Sequence, residues 1–222
     1  MQSWLNDLVE TIKQTLVEQI SECYKKVDKL AEDIILKYPI QVLSTSRALL
    51  FTKQVEKGIS SMSLSKLTKS LNEEIGIYVT LKNHTVNNLL RIKLRSLLMD
   101  MVHYASIVAD LDRENVTTQN DWHWQKQIKF YFDGKDSNKV IIRMVNAEFE
   151  YSYEYLGNTN KLVNTALTHK CYLILTQAMA MGLGGNPFGP AGTGKTECIK
   201  ALGGLMGRLV LVFNCDEVCN YS

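Results

Sequence analysis

Apolar side chains recur every three or four residues along the first part of the chain. Leu5, Leu8, Val9, Ile12, Leu16, Ile20, Cys23, Val27, Leu30 and Ile34 trace one face of a single long amphipathic helix over 3–37. Pro39 ends it, because proline cannot continue the hydrogen-bond ladder. The same period predicts a second helix over 41–56, closed by Gly58, and a short third over 65–75, closed by Gly76. A long fourth helix follows over 85–112. Leu89, Ile92, Leu97, Met101, Tyr104, Val108 and Leu111 lie on its apolar side.

The pattern changes at Asn120 and Asp121, either of which can cap a short aromatic helix over 122–132. The run 133–138 is a turn by composition. Two strands follow, over 139–146 and 148–155. In the second, Phe149, Tyr151, Tyr153 and Tyr155 alternate with Glu148, Glu150, Ser152 and Glu154, the period of a half-buried strand. An aromatic ladder can also stack nucleic-acid bases. Here the alternate positions are acidic and would repel phosphates, so a core strand is the better reading. Gly157 and Asn158 mark a boundary, and Leu162 and Val163 form a small apolar pair in a loop. Thr168 reads as the N-cap of a helix over 169–181. A helix over 196–206 ends at Gly207, and 209–213 reads as a buried strand.

Between the last two helices stand Gly189, Pro190, Ala191, Gly192, Thr193, Gly194, Lys195 and Thr196, which fit G-x-x-x-x-G-K-[ST] at every fixed position. Glycines let consecutive backbone amides turn inward on phosphates without side-chain clashes. Lys195 supplies a mobile charge to the same phosphates, and Thr196 offers a hydroxyl to Mg²⁺. The following helix aims its positive end at the anion. ATP and Mg²⁺ are the expected ligands. Such a loop normally follows a hydrophobic strand, yet only Met181, Leu183 and Phe188 could form one, so that strand must be short or irregular. A P-loop ATPase also needs an acidic residue from another strand and an arginine from elsewhere. Only 26 residues follow Thr196, so the expectation is the front end of a nucleotide-binding domain.

Composition narrows the classes. Hydrophobic content of 45% and charged content of 22% suit a soluble globular protein, and a net charge of +2 gives no overall field for nucleic acid or membrane. The five cysteines are irregularly spaced, and Cys215 and Cys219 have no partner pair for zinc; reduced cytosolic thiols are expected. The four histidines do not pair at helical spacing. The N-terminus has no basic segment leading into an apolar run, and no apolar stretch reaches membrane-span length. Lys53, Lys57, Lys66 and Lys69 read as a solvated face, and the methionines as core filler.

Residues 121–217 resemble the dynein heavy chains. The resemblance rests on WHWQKQIKFYF (122–132), NAEFEYSYEYLGN (146–158), LTHKCYLIL (167–175) and GGNPFGPAGTGK (184–195). In that family this order marks the end of the linker and the start of the first AAA+ module, and the glycine-rich approach to the phosphate loop is usual there. The run KALGGLMGRLVLVFNCDE (200–217) looks most like the intraflagellar-transport branch, the type-2 cytoplasmic dyneins.

The implied architecture is mixed. A helical linker portion ends in a β-hairpin (1–146), followed by the N-terminal part of a P-loop AAA+ α/β module (147–222). The implied activity is that of an ATP-driven, minus-end-directed microtubule motor for ciliary retrograde transport, located in cytoplasm, cytoskeleton and cilium. The family implies microtubules, intermediate and light intermediate chains and a second heavy chain as partners, without nucleic acid or membrane insertion. Residue by residue, Gly189 to Thr196 match the phosphate and Mg²⁺ positions, Leu162 and Val163 match the loop that packs on adenine, and Glu197 follows without direct contact. Ala166 and His169 stand where the family usually has Pro and Asp. Leu209 to Glu217 also resembles a Walker B strand, in which Asp216 would hold Mg²⁺ and Glu217 polarise water. Asp216 lies only 21 positions after Lys195, too close for that strand in AAA+ modules, so a core strand with an acidic exit is expected. The stalk, the arginine finger and the N-terminal tail lie outside the sequence. The chain by itself is therefore expected to be a fragment without turnover. A non-catalytic binding or structural product, or an unrelated P-loop NTPase, are the alternatives.

Overall fold

A computed structural model describes residues 2–27, 31–134, 138–157 and 161–213. The chain order is α1 (Gln2–Tyr24), α2 (Glu32–Lys37), α3 (Ile40–Ser60), α4 (Leu64–His84), α5 (Asn88–Arg113), α6 (Trp122–Gln125), β1 (Lys129–Phe132), β2 (Val140–Met144), β3 (Ala147–Glu150), α7 (Ala166–Ala180) and α8 (Lys195–Leu205). The mixed class read from the sequence holds: a helical portion, a small antiparallel sheet, and then helices flanking the glycine loop.

The first helix is not continuous. It breaks after Tyr24 and restarts as α2, whose C-terminal carbonyls are capped from another element. Buried Lys93 of α5 donates from Nζ to the carbonyls of Ile35, Leu36 and Tyr38 at 2.7–3.0 Å. Helix termini leave such carbonyls without intrahelical partners, so this lysine fixes where α2 stops. The two pieces bury only the later part of the expected stripe, with Leu16, Ile20, Cys23 and Ile35 inside and Val27 buried between them, while Leu5, Leu8 and Val9 are exposed.

Neither Gly58 nor Gly76 ends its helix. At Gly58 a Cβ would stand 3.2 Å from Leu64, so the glycine lets the start of α4 come close to α3. The turn comes instead at Met62, with φ of 50°. Gly76 faces open space inside α4. Burial of Leu71 and Tyr78 on either side outweighs the roughly 1 kcal/mol that a helical glycine costs. Asn87 caps α5, its side chain accepting from the Leu90 amide at 3.2 Å.

The aromatic segment 122–132 is a single helical turn followed by a strand. Asp121 caps the turn as expected, accepting from the His123 amide at 2.8 Å. Beyond it, residues 128–132 alternate apolar and polar, and β2 offers a ladder partner. The Phe130 amide donates to Thr52 on α3, which pins the strand to the helices. Phe130 pairs with Ile142, and Ile142 with Phe149, in the antiparallel order β1-β2-β3. The predicted strand 148–155 is half its expected length. Its ladder ends at Glu150, and Tyr153 adopts φ of 54°. Beyond the ladder, Ser152 and Glu154 donate from their amides to the carbonyls of Met206 and Gly207 at the end of α8. The aromatic face is buried at Tyr151 and Tyr153 and open at Tyr155.

One core runs from α1 through α3 and α5 to the sheet. A smaller one gathers Phe51, Val55, Leu111 and Trp124 where α3, α4 and α5 converge. Phe51 stacks on Tyr104 with ring centroids 4.0 Å apart. Arg47, buried inside α3, reaches Glu74 of α4 at 2.8 Å. The expected buried strand over 209–213 does not form. Leu209, Leu211 and Phe213 are mostly exposed, because among the described residues no strand lies beside them to complete a ladder.

Candidate nucleotide site

α8 begins at Lys195, with Gly194 as its N-cap at φ of 79°. Gly192, at φ of 76°, makes the bend before it. Side chains rarely adopt this left-handed conformation, so the glycines are what allow the chain to enter the helix here. No side chain caps the helix. Its first amides therefore stay available, at the positive end of the helix dipole.

The loop folds over itself. Thr193 Oγ1 donates to the Pro190 carbonyl at 2.9 Å, and Lys195 Nζ donates to the Gly189 carbonyl at 2.8 Å and also to that of Pro190. The ammonium thus rests on the mouth of the loop, on partners that an anion could replace. Thr196 is exposed. Glu197 pairs with Lys200 one turn on, at 2.8 Å. No strand leads into the loop. Met181, Leu183 and Phe188 are exposed, and Gly185 passes so close to Leu175 that a Cβ there would collide with it at 2.2 Å. Among the described residues, no group of three His, Cys, Asp or Glu side chains could hold a metal. Asp216 and Glu217, and Cys215 and Cys219, lie outside the described residues.

Leu162 and Val163 sit apart from the loop glycines. Leu162 lines a cleft of about 290 Å³ between the helical portion and α8, together with Glu197 and Lys200. Val163 is exposed on the far side, where it lines a groove of about 440 Å³ against α5. The structure therefore brings Leu162 to the flank of α8 just beyond the phosphate loop, while the loop glycines lie outside that cleft. α7 starts three residues earlier than the expected cap implies. Thr165 is the N-cap, and its side chain and that of Thr168 bond each other's backbone amides in a capping box. His169 donates from Nε2 to Gln127 Oε1 at 3.0 Å, and burial, with Lys126 nearby, lowers its pKa. Burial, with Cys171 nearby, raises the Cys198 thiol.

The junction of the two portions was not visible in the sequence. Gln41 of α3 donates from Nε2 to the Tyr151 hydroxyl at 2.9 Å and to the Glu154 carbonyl at 2.8 Å, and its Oε1 accepts from the Leu156 amide. Lys161 reaches Ser44 at 2.7 Å and forms an ion pair with Asp100 of α5. Gln41 and Asp100 looked like ordinary polar positions on helices, and only their tertiary neighbours reveal their part.

The glycine-rich loop thus enters α8 through two left-handed glycines, with a lysine at the first position of the helix. Residues 151–222 match the family model described as the hydrolytic ATP binding site of dynein motor region. The chain is 45% identical to cytoplasmic dynein 2 heavy chain 1 of Tripneustes gratilla over 96% of its length, and to that of Homo sapiens over 98%. Identity to the cytoplasmic dynein heavy chain of Drosophila melanogaster is 33% over 99% of the chain. In each case it spans 5% of the relative's length. Over nearly its whole length the chain is therefore similar to a stretch of the dynein heavy chains, with higher identity to these type-2 cytoplasmic relatives than to the fruit-fly cytoplasmic one.

Proposed function

We propose that residues 1–146 are the end of the linker and residues 147–222 the beginning of the first AAA+ module of an ATP-driven microtubule motor. The observation that carries this reading is the union of a phosphate-loop sequence, a left-handed entry into α8 and an ammonium held on the loop mouth. It falls within the segment that matches the dynein ATP-binding model. In this reading Lys195 leaves the Gly189 and Pro190 carbonyls for the β- and γ-phosphates of ATP. The amides of 191–196 line the phosphates, and the Thr196 hydroxyl stands ready as an oxygen ligand. Mg²⁺, when bound with ATP, neutralises phosphate charge there. Leu162 supplies an apolar surface for adenine, while Val163, the other member of the pair, faces the groove on the opposite side, and Glu197, engaged with Lys200, takes no direct part. The acid that orients water and the arginine that completes catalysis come from other parts of a heavy chain.

Higher identity to the type-2 relatives than to the fruit-fly cytoplasmic heavy chain supports the intraflagellar-transport branch. Retrograde, minus-end-directed movement in cilia follows from that assignment. So do a second heavy chain, intermediate and light intermediate chains and microtubules as partners, and a cytoplasmic and axonemal location. No described helix is long and apolar enough to cross a membrane. The match across nearly the whole chain sets aside an unrelated P-loop NTPase. A second reading draws on one observation. Leu209, Leu211 and Phe213 are uncovered, which favours a non-catalytic binding or structural role for this stretch alone.

The test is Lys195→Ala in a heavy chain carrying this stretch, scored by microtubule gliding. Loss of ATP-dependent gliding is expected; gliding at the wild-type rate would refute the assignment.

A further inference from the structure

The segment 161–164 crosses the junction as a strap with a hollow on each side. The cleft of about 290 Å³ separates it from α3 and α8, and the groove of about 440 Å³ separates it from the end of α4 and the middle of α5. Leu162 and Asn164 line both hollows, so packing does not decide where the strap lies. Among the described residues, the Asn164 side chain has no hydrogen-bond partner. One side chain of the strap is held. Lys161 donates to Ser44 of α3 at 2.7 Å and pairs with Asp100 of α5. Both partners are largely out of water, with 14% of the Asp100 side chain and 23% of the Lys161 side chain exposed. A charge pair in that setting is screened far less than one on the surface. The strap then runs directly into the Thr165 capping box that starts α7.

We propose that the Lys161–Asp100 ion pair, with Ser44, is the tether that positions Leu162 for the nucleotide and ties that position to α5 of the helical portion. The proposal rests on the ATP reading above. Lys161 and Asp100 are positioning residues, acting through the strap and touching no phosphate. Because Asp100 sits on a linker helix, displacement of the strap by an adenine ring pulls on α5 through one ion pair. This gives the nucleotide site a direct handle on the helical portion. The tether thus affects how tightly nucleotide is held more than how fast bound nucleotide is cleaved. Its loss raises KM for ATP and leaves kcat largely unchanged.

The experiment uses the complete heavy chain with a fluorescent ATP analogue. It compares wild type, Asp100→Asn, Lys161→Met, and the double charge swap Asp100→Lys with Lys161→Asp, with Lys195→Ala as the control for the site itself. Each single variant should weaken nucleotide binding and raise KM roughly ten-fold, as expected for one coupled charge pair, with kcat within about two-fold of wild type. The swap should recover most of the loss, which mere damage to packing would not. Single variants that bind as wild type while Lys195→Ala loses binding would overturn the tether and leave the ATP site standing. Singles that bind weakly with no recovery in the swap would also overturn it. Binding untouched by Lys195→Ala would overturn the ATP site, and the tether with it.

Discussion

The Tyr151 ring lies across the bare Cα of Gly207, where a Cβ would stand 2.5 Å from the ring's Cζ. Gly207 ends α8 at φ of 67°, and Tyr151 has just left β3. The contact brings the end of the phosphate-loop helix against the sheet, and Gln41 of α3 adds its hydrogen bond to the tyrosine hydroxyl. Three parts of the chain therefore meet at one residue without a side chain.

Gly207→Ala is strained twice, by the clash and by its backbone angle. The expected cost is about 1–3 kcal/mol, the usual range for overpacking a close contact. The amides of Ser152 and Glu154, bonded to Met206 and Gly207, should lose hydrogen-exchange protection. Unchanged protection at both would contradict the contact.

Arg47 and Glu74 form a pair with the arginine side chain 5% exposed. Glu74→Ala leaves that guanidinium buried without its carboxylate, with an expected cost of about 3 kcal/mol in denaturant unfolding. Surface pairs such as Lys13 with Glu10 should give no comparable effect when broken.

Thr165→Ala removes the cap of α7, with an expected loss of about 1 kcal/mol at the first turn, while Thr165→Ser keeps it. Amide exchange over 166–169 reads the difference directly.

Lys129 carries the clearest pH dependence. Burial lowers its pKa from 10.5 to about 8. The unfolded chain therefore binds more protons between those values, so this residue's contribution to stability rises with pH across the window from about 8 to 10.5. Below it both states are charged and the cost of burying the ammonium stays in full. Wild type minus Lys129→Met should thus shift in favour of wild type as pH climbs from 8 to 10.5, by on the order of 2 kcal/mol. A flat difference would mean the ammonium is solvated.

The helical period revealed most of the helices, because apolar faces at Leu97, Met101, Val108 and Leu111 bury where they point. Their ends were less legible. Gly58 and Gly76 look like stops, yet close approach at one and flanking burial at the other keep the helix going. Lys93 sets the end of α2 from 55 or more residues away, which no local pattern encodes. The segment 128–132 is aromatic enough for either state, and the ladder partner β2 decides it. The glycine-rich entry into α8 was readable because it is local and its glycines serve conformation. The ties at Gln41, Asp100 and Lys161 join residues 61 or more positions apart, and a lone polar residue on a helix carries no mark of such a partner.

The central claim is that the loop around Lys195 binds the phosphates of ATP. The most direct measurement is the affinity of the complete heavy chain's first module for a fluorescent ATP analogue, in wild type and Lys195→Ala, with and without Mg²⁺. The account predicts binding that strengthens with Mg²⁺ in wild type and falls at least roughly ten-fold in the variant, as a lost charge-assisted phosphate contact would produce. Equal affinity in the two proteins, with or without Mg²⁺, would contradict it.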